Sequence, residues 1–400
     1  MLPVDEALKL VEQHARPLAP WRVMLGDAAG LVLAEDVTSD VNSPPYDKSL
    51  MDGYAVRSGD RQSERQVLEE IAAGAVPHLP VTPGTASRIM TGAPLPDGAD
   101  AVVPLEQTEL VDATTVHLLQ ADPPFGQHVL RLGTALRAGD VVLHEGAILR
   151  PIEIAILAEI GRVIVTARPR PRVAILPTGN ELVAVGEKPI NGQIRNSNGP
   201  MLTAAATRVG ADALELGIAR DDRDGLARWI AQGLAADVLV LSGGVSAGKF
   251  DLVPQVLGEL GVEKVFHKVA LRPGKPLWFG VKHDADRRVL VFGLPGNPMS
   301  SFVCFELFVR PTIAALAGRG FIGLKTIMAE LTHPFDHVGG RAACLPARVT
   351  PALAAAYSVE ILPWHGSADL ATVSRANGLA RLPIEKRQFA PGAPLEVLLI

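Results

Sequence analysis

Three short loops rich in glycine and proline hold the polar side chains of this sequence that are best suited to bind a ligand. Their sequences are Ser242-Gly-Gly-Val-Ser-Ala-Gly-Lys249, Leu271-Arg-Pro-Gly-Lys-Pro276 and Gly293-Leu-Pro-Gly-Asn-Pro298. Glycine has no Cβ atom, so a ligand can come close to the backbone, and Arg272 and Lys275 supply positive charge for an anion. We therefore predict an anion-binding site built from these loops, although each loop alone could simply form a tight turn.

Apolar runs precede these loops and predict buried strands. The clearest runs are residues 237–241 and 289–292, and a third run reaches Leu271. In an open α/β sheet, ligands bind outside the carboxyl ends of the strands. The loops are therefore expected to lie together at one edge of a sheet.

Carboxylate side chains are expected near the same edge. Glu181, Asp221, Asp222 and Asp251 follow predicted strands, and Asp52 lies in an earlier loop dense in turn-forming residues. Carboxylates beside an anion-binding loop suggest a divalent metal that bridges to an oxyanion or a phosphate. Taken singly, each is better explained as a surface charge, whereas the set as a whole favours a site.

Two well-known phosphate-binding motifs are excluded. Gly243, Gly248 and Lys249 have the spacing of a P-loop, but Phe250 stands where a serine or threonine should ligate magnesium. The glycine fingerprint of dinucleotide-binding folds follows none of the predicted strands, which argues against a nicotinamide enzyme.

The composition is that of an ordinary globular protein with several domains. The chain has 400 residues, of which 48% are hydrophobic. Its formal net charge of -5 argues against a nucleic-acid binder, whose binding surface would be basic. The two cysteines, Cys304 and Cys344, lack metal-binding spacing and are expected to be free thiols. Acidic Asp5 and Glu6 stand where a signal peptide would be basic, and no apolar run approaches the length of a membrane span. We therefore predict a cytoplasmic protein with no membrane partner.

The periodicity of apolar residues predicts a multidomain protein of α/β and β type. A helix over residues 4–15 is followed by short β-like runs over 66–146, and the proline-rich segment 168–171 reads as a domain boundary. Strands and helices then alternate, which indicates a mostly parallel sheet covered on both faces, with Asn198 predicted to cap a helix. Residues 325–400 read as a second small β domain. In the first β region Thr91, taken alone, is best explained as a hydroxyl that caps a turn.

Seven motifs occur in order along the chain and resemble those of one known family. They are Ser49-Leu-Met-Asp-Gly-Tyr-Ala55, Arg88-Ile-Met-Thr-Gly-Ala-Pro94, Thr178-Gly-Asn-Glu-Leu182, Gly217-Ile-Ala-Arg-Asp-Asp222, Ser242-Gly-Gly-Val-Ser246, Arg272-Pro-Gly-Lys-Pro276 and Leu294-Pro-Gly-Asn-Pro298. The family is the MoeA/gephyrin E-domain family of molybdopterin molybdenumtransferases. The resemblance covers essentially the whole chain, and it extends to His365-Gly-Ser367 and Ser374-Arg-Ala-Asn-Gly378.

The resemblance implies a homodimer whose subunit has four domains. Residues 1–41 and 142–170 would form a discontinuous N-terminal domain, with a small β domain, 42–141, inserted between them. Residues 171–322 would form a central three-layer α/β/α sheet domain that binds the substrate, and 323–400 a C-terminal β domain. Asp52 and Thr91 would complete the site of the sheet domain across the dimer.

The implied reaction uses adenylylated molybdopterin and molybdate as substrates, with Mg2+ assisting, and yields molybdenum cofactor and AMP. Glu181 and Asp251 would hold the metal. The implied catalytic residues are Asp52, Thr91, Glu181, Asp221, Asp251 and Lys275. The implied substrate-binding residues are Thr178, Gly179, Asn198, Ser242, Gly243, Gly244, Ser246, Arg272, Pro273, Gly274, Pro295, Gly296, Asn297 and Pro298.

Several positions depart from the family pattern. Asn180 and Asn196 stand where the family has aspartates, Gly133-Thr134-Ala135 replaces a Gly-Glu-Asp triplet, and Arg272 replaces a common lysine. These departures suggest altered metal handling or lower activity. Two other functions therefore stay open: a molybdopterin adenylyltransferase, and a non-catalytic scaffold or an altered-metal paralogue that binds molybdopterin. The implied partners are a molybdopterin adenylyltransferase and recipient molybdoenzymes or their chaperones, and tungstate is an alternative to molybdate.

Overall fold

A computed structural model of the chain describes residues 1–245, 252–284, 287–352 and 357–400. The chain divides into two compact units. The larger unit comprises Met1–Val23, Ala28–Ala34 and Thr166–Ile400, and the smaller unit comprises Met24–Asp27 and Glu35–Val165. Both units are therefore discontinuous in sequence.

Helices and strands of the described residues are numbered here in chain order. The helices are α1 (Val4–His14), α2 (Pro151–Glu159), α3 (Asn198–Val209), α4 (Arg223–Gly233), α5 (Val253–Glu259), α6 (Pro298–Cys304), α7 (Arg310–Leu316) and α8 (Leu370–Val373). Strands in the first part of the chain are β1 (Trp21–Met24), β2 (Val32–Leu33), β3 (Val37–Thr38), β4 (Lys48–Ser49), β5 (Gly53–Val56), β6 (Glu64–Ile71), β7 (Thr85–Ile89), β8 (Ala101–Pro104), β9 (Thr108–Leu110), β10 (Thr115–Leu118), β11 (Val129–Leu130), β12 (Val141–Leu143) and β13 (Ile164–Arg168). Those that follow are β14 (Arg172–Pro177), β15 (Leu182–Val183), β16 (Ile194–Arg195), β17 (Asp212–Glu215), β18 (Val238–Ser242), β19 (Val262–His267), β20 (Leu271–Arg272), β21 (Trp278–Asp284), β22 (Arg287–Leu294), β23 (Thr326–Leu331), β24 (Phe335–His337), β25 (Ala342–Pro351), β26 (Tyr357–Ile361), β27 (Gly378–Leu382), β28 (Arg387–Phe389) and β29 (Pro394–Leu399).

The smaller unit is built around a six-stranded sheet in the order β8-β5-β7-β6-β10-β9. The β6–β7 pair is parallel, and the other pairs of this sheet for which a register is defined are antiparallel. Tyr54, Val56, Val103 and Val116 pack in its core. The prediction of short strands between glycine and proline turns is confirmed for this region.

The central sheet of the larger unit has the order β17-β14-β18-β22-β21-β19. Strands β17, β14, β18 and β22 are parallel to one another, and β21 runs antiparallel to both β22 and β19. The prediction of a mostly parallel sheet is therefore confirmed. Strands β14, β18 and β22 contain continuous apolar runs because both of their faces are covered, whereas the edge strand β17 alternates exposed and half-buried residues.

Two separate hydrophobic cores cover the two faces of the central sheet. On one face Ile175, Val240 and Phe292 pack with α1, α3, α6 and α7. On the other face Leu176, Leu241 and Val291 pack with α4 and α5. Alternate residues of each strand point to opposite cores, which gives the expected three-layer α/β/α arrangement.

The C-terminal sheet has the order β20-β25-β26-β23-β29-β27, which confirms the predicted second β region. Its first strand corrects the sequence analysis. The strand predicted to reach Leu271 ends at His267, and Leu271–Arg272 pairs with Ala342 and Ala343 of the C-terminal sheet instead. The Arg272–Lys275 loop therefore follows β20, and the chain leaves the central sheet earlier, at His267, where β19 ends parallel to β22.

One helical stretch corrects the prediction that no apolar run reaches the length of a membrane span. Among the described residues, the helical stretch Pro298–Leu316 alone is long and apolar enough to cross a membrane, judged by length and composition. It consists of α6, a π-helical turn over Phe305–Val309 and α7. Its apolar window is 83% buried inside the protein, as in the core helix of a globular domain.

Candidate active site

The carboxyl ends of three adjacent parallel strands meet at one edge of the central sheet. Strands β14, β18 and β22 end at Pro177, Ser242 and Leu294. The Thr178 N–H donates to the Ser242 carbonyl at 2.9 Å, and the Gly243 N–H donates to the Leu294 carbonyl at 3.1 Å. The β18 and β22 loops, two of the three loops expected together, are therefore joined at this edge with the loop after β14, and the expectation for the Arg272–Lys275 loop stays a prediction.

Glycine is required where these loops touch. Gly243 and Gly244 have φ of 98° and 65°, a region that favours glycine. A Cβ atom on Gly243 would lie 2.5 Å from the Thr178 carbonyl oxygen, and one on Gly244 would lie 2.8 Å from the Thr178 hydroxyl. These two glycines thus have a packing role as well as the predicted role in ligand approach. Ser246 and Asp251, predicted for the same site, lie outside the described residues.

Asn198 connects helix α3 to two of the loops. Its Nδ2 atom donates to Ser242 Oγ and to the Gly296 carbonyl oxygen, both at 2.7 Å. The prediction that Asn198 caps the helix is wrong, because Ser197 is the N-cap and Asn198 lies in the first turn. Its amide hydrogens instead hold the β18 and β22 loops together.

Two buried polar atoms at this edge have no hydrogen-bond partner in the described part of the chain. They are Asn198 Oδ1 and Thr178 Oγ1, in residues that are 8% and 2% exposed. A buried polar atom without a partner costs about 1–3 kcal/mol, so such atoms need an explanation. A ligand that supplies hydrogen-bond partners would remove this cost.

The loop after β14 presents Glu181 to solvent, and the side chains around it are hydrogen-bonded. Asn180 Oδ1 accepts from the Asp221 N–H at 3.1 Å. Asp222 caps α4 by accepting from the Gly225 N–H at 2.7 Å, which assigns this carboxylate to helix capping. The amide oxygen of Asn180 therefore accepts a backbone hydrogen bond that a carboxylate oxygen at the same position could also accept.

Asn196 is a second departure from the family pattern with a clear local role. The side chain is 3% exposed, and its Oδ1 accepts from the Gly199 N–H at 2.9 Å. Its Nδ2 donates to Glu215 Oε1 at 2.8 Å. A Cβ atom on Gly199 would lie 2.1 Å from the same carboxylate oxygen, so the glycine leaves room for Glu215.

The Arg272–Lys275 loop presents one exposed and one half-buried cation, Lys275 and Arg272. The Val269 N–H donates to the Lys275 carbonyl at 3.0 Å. A Cβ atom on Gly274 would lie 2.7 Å from Cys304 Sγ, so the loop packs tightly on α6. Burial raises the pKa of Cys304, and it raises the pKa of Cys344 to about 12. Both cysteines are buried and not in a disulfide, which agrees with the prediction that they are free thiols.

Sequence reasoning missed two side chains that support the β22 loop, Ser301 and Ser367. Ser301 is completely buried, lies 3.4 Å from Ser242 Oγ through its hydroxyl, and donates to the Pro295 carbonyl. Asn297 Nδ2 donates to Ser367 Oγ at 2.7 Å. Ser301 could have been found from the sequence, because a small polar residue within an apolar helical run is unusual. Ser367 lies in the C-terminal region, and only the His365-Gly-Ser367 motif pointed to it.

Asp52 and Thr91 are in direct contact within the smaller unit. Both the backbone N–H and the hydroxyl of Thr91 donate to Asp52 Oδ1 at 2.7 Å. These two bonds, the backbone one first, hold the pKa of Asp52 below its ordinary value. The Thr91 hydroxyl thus bonds to a side chain 39 residues away in the sequence, and its predicted roles, as a turn cap or as a catalytic group, stay predictions. The Gly133–Ala135 segment pairs with the 42–44 segment instead, since the Ala135 N–H donates to the Ser43 carbonyl at 2.9 Å.

Among the described residues, no cluster of three or more His, Cys, Asp or Glu side chains could hold a metal ion. Glu181 is exposed at the edge of the site, and Asp251, the second predicted ligand, lies outside the described residues. Magnesium is commonly held by one or two carboxylates together with substrate phosphates. Within the described residues, the donor set therefore fits a metal that arrives with a phosphorylated substrate better than one held by protein side chains alone.

Family models match nearly the whole chain in three segments. The MoeA N-terminal region (domain I and II) matches residues 2–161. A probable molybdopterin binding domain matches residues 174–315, and the MoeA C-terminal region (domain IV) matches residues 328–400. The central match contains the loops of the site described above.

Relatives of known function and solved structures are similar over the full length. A molybdopterin molybdenumtransferase of Staphylococcus aureus is 35% identical and covers 100% of this chain and 95% of its own. The enzyme of that name from Staphylococcus epidermidis is 32% identical over 99% of this chain and 95% of its own. The crystal structure of a molybdopterin biosynthesis MoeA protein from Pyrococcus horikoshii superposes with a TM-score of 0.83 at 30% identity, covering 100% of this chain and 99% of its own.

Proposed function

The chain belongs to the MoeA family of molybdopterin molybdenumtransferases, and we propose that it inserts molybdenum from molybdate into adenylylated molybdopterin with release of AMP. The observation that carries this proposal is a pair of buried polar atoms, Thr178 Oγ1 and Asn198 Oδ1, that have no hydrogen-bond partner among the described residues. Both atoms lie in the segment that matches the molybdopterin binding domain, and a ligand with hydrogen-bonding groups would satisfy them.

The substrates are anionic, and the loops offer complementary groups. The Gly244 and Gly296 amides can donate to phosphate or molybdate oxygens, while the Gly243 amide is used within the site. Arg272 and Lys275 add positive charge, and the planar guanidinium of Arg272 can make two parallel hydrogen bonds where a lysine makes one. We propose that Thr178, Gly179, Asn198, Pro273 and Gly274 shape the same binding surface.

Magnesium is part of the proposal as a cofactor of the reaction. We propose that Glu181 holds it together with Asp251, and that Asp221 and Lys275 act beside them. When bound, magnesium would supply positive charge to offset the charge that develops as the adenylate is cleaved. Glu181 and Asp251 would hold the ion, and Lys275 would stabilise the anionic leaving group.

The domain division and the assembly are also proposals. We propose four domains, residues 1–41 with 142–170, 42–141, 171–322 and 323–400, which the three matched segments support. We further propose a cytoplasmic homodimer in which Asp52 and Thr91 of one subunit serve the reaction of the other. A mixture of Asp52→Asn and Lys275→Ala subunits, each inactive alone, should then regain about a quarter of the wild-type activity, because random pairing restores one intact site in half of the dimers.

The central experiment incubates the purified chain with adenylylated molybdopterin, molybdate and magnesium chloride. AMP release is followed together with reconstitution of a molybdenum-free molybdoenzyme, and tungstate replaces molybdate in a parallel series. We expect both products with wild type and neither with Lys275→Ala, a substitution of an exposed residue. Tight binding of the substrate without products would contradict the proposal and indicate a binding protein. ATP-dependent adenylylation of molybdopterin would indicate an adenylyltransferase.

A further inference from the structure

Arg220 lies where the loop after β17 runs beside the loop that carries Glu181. Thr178 and Ala219 form an isolated parallel bridge between the two loops. The Gly179 N–H donates to the Ala219 carbonyl at 3.0 Å, and the Ala219 N–H donates to the Pro177 carbonyl at 2.9 Å. The backbone of the second loop is thus fixed against the first up to position 219.

The side chain of Arg220 then reaches back across the first loop. Its Nη1 atom donates to the Asn180 carbonyl oxygen at 2.9 Å and to the Leu182 carbonyl oxygen at 3.0 Å. These two carbonyl groups flank Glu181 on either side. One guanidinium nitrogen with its two hydrogens therefore holds the backbone of Glu181 from both neighbours.

Other contacts of the same segment fix the backbone around Glu181 and do not involve its carboxylate. The Glu181 carbonyl oxygen accepts from the Ile194 N–H at 2.8 Å, and Asn180 Oδ1 accepts from the Asp221 N–H at 3.1 Å. A Cβ atom on Gly179 would lie 2.4 Å from Glu181 Oε2, so the carboxylate is folded over the bare backbone of Gly179. A carboxylate on a fixed backbone is already oriented for a ligand.

We infer that Arg220 is a positioning residue for Glu181, and this inference rests on the role proposed above for Glu181. Arg220 acts through the two carbonyl groups and not by contact with the substrate. A displacement of about 1 Å can cost on the order of 100-fold in rate when a reacting group is misplaced. Losing the two hydrogen bonds from Arg220 should therefore lower kcat much more than it raises KM.

Two substitutions separate the hydrogen bonds of Arg220 from its bulk. Arg220→Met keeps much of the side-chain length and removes both donors. Arg220→Lys keeps a nitrogen with three hydrogens, which can still donate to both carbonyl groups. The matched control is Arg223→Met, because Arg223 is an exposed arginine three residues away whose guanidinium pairs with Glu259 of helix α5 at 2.7 Å.

The test measures kcat and KM of wild type, Arg220→Met, Arg220→Lys, Arg223→Met, Glu181→Gln and the Arg220→Met/Glu181→Gln double variant. We expect Arg220→Met to lower kcat by about tenfold to 100-fold with little change in KM. Arg220→Lys should recover most of that loss, and Arg223→Met should match wild type. The double variant should be no slower than Glu181→Gln, because residues that act as a unit are not additive.

Two kinetic results would overturn the inference. One is a double variant that loses a further tenfold beyond Glu181→Gln. The other is an Arg220→Met enzyme whose KM rises while kcat is kept, which would place Arg220 in contact with the substrate.

Amide hydrogen exchange tests whether Arg220 holds the Glu181 loop, and it needs no turnover. Peptides covering residues 178–195 should exchange faster in Arg220→Met than in wild type or Arg223→Met. If wild type has no turnover at all, the proposed function fails, and the exchange data still decide the inference. Unchanged exchange in Arg220→Met would then overturn it.

Discussion

The Asn196 amide nitrogen donates a 2.8 Å hydrogen bond to Glu215 Oε1, a contact that favours asparagine here over the aspartate expected from the family resemblance. An aspartate at position 196 would set two carboxylates against each other in a partly buried place. Asn196 is 3% exposed, so little solvent would screen the repulsion. The substitution is therefore matched to Glu215, and it does not by itself indicate a lost metal ligand.

The variant Asn196→Asp should be destabilised at neutral pH. It loses a hydrogen bond to a charged group, worth about 1.5–3 kcal/mol, and it adds a like charge that raises the pKa of one of the two carboxyl groups. The free energy of unfolding in urea measures the loss. Adding Glu215→Gln should restore most of it, because the glutamine amide can donate to the new carboxylate. A destabilised double variant would show that the loss has another cause.

Patterns along the chain predicted the β18 and β22 loops well, and physical reasons explain this success. An unbroken apolar run followed by Ser242-Gly-Gly is a local signal for a buried strand and its turn. Parallel strands must place their carboxyl ends at the same edge, so the meeting of the loops follows from topology.

The contacts of Arg220 and Glu215 could not be predicted in the same way. Arg220 holds a loop about 40 residues earlier in the chain, and no local pattern encodes which loops run side by side. The end of β19 shows a related limit. The apolar character continues towards Leu271, but that residue pairs with Ala342 of the C-terminal sheet, a choice set by a strand some 70 residues away.

Thr178→Val tests whether the buried hydroxyl at the site is kept for a ligand. Thr178 Oγ1 has no partner in the described part of the chain, so replacing it with a methyl group removes a cost of about 1 kcal/mol or more. We expect the free energy of unfolding to stay the same or rise, while the affinity for adenylylated molybdopterin falls about tenfold. Urea unfolding and equilibrium binding measure the two effects.

Thr312→Val is the matched control for that substitution. Thr312 is equally buried, and its hydroxyl donates to the Phe308 carbonyl at 2.7 Å in the core helix. Losing this bond should cost about 1 kcal/mol of stability and leave substrate binding unchanged. The interpretation of Thr178 would be wrong if Thr178→Val destabilised the protein as much as Thr312→Val and bound substrate normally.

Gly243→Ala tests the close approach of the loops at the site. A methyl group there would lie 2.5 Å from the Thr178 carbonyl oxygen, and Gly243 has φ of 98°. Strain of this kind costs about 1–3 kcal/mol, so we expect a lower melting temperature and lost substrate binding. Gly258→Ala is the control, because Gly258 lies in α5 with no atom near its Cβ position and alanine favours helices by about 0.5–1 kcal/mol. A Gly243→Ala protein as stable as wild type would contradict the close approach.

The pair Asp52 and Thr91 gives a pH-dependent prediction. Thr91→Val removes the 2.7 Å hydroxyl bond to Asp52 Oδ1 and leaves the backbone bond, so the pKa of Asp52 should rise towards its ordinary value of about 3.9. Because the folded-state pKa of Asp52 is lowered, the bond stabilises the protein above the unfolded-state pKa, and this stabilisation is lost as the pH falls through the folded-state value. The difference in melting temperature between wild type and Thr91→Val should therefore be larger at pH 7 than at pH 3. Carboxyl NMR titration of Asp52 measures the pKa itself.

Asp112 and Thr114 provide an internal control, because they repeat the same geometry elsewhere in the smaller unit. The Thr114 N–H and hydroxyl donate to Asp112 Oδ1 at 2.7 and 3.1 Å, and these bonds likewise lower the pKa of Asp112. Thr114→Val should therefore raise the pKa of Asp112 much as Thr91→Val raises that of Asp52. Only Thr91→Val should slow AMP release, since only Asp52 and Thr91 belong to the proposed site. Equal rates of AMP release in the two variants, with both pKa values raised, would show that the Asp52–Thr91 contact has only a structural role.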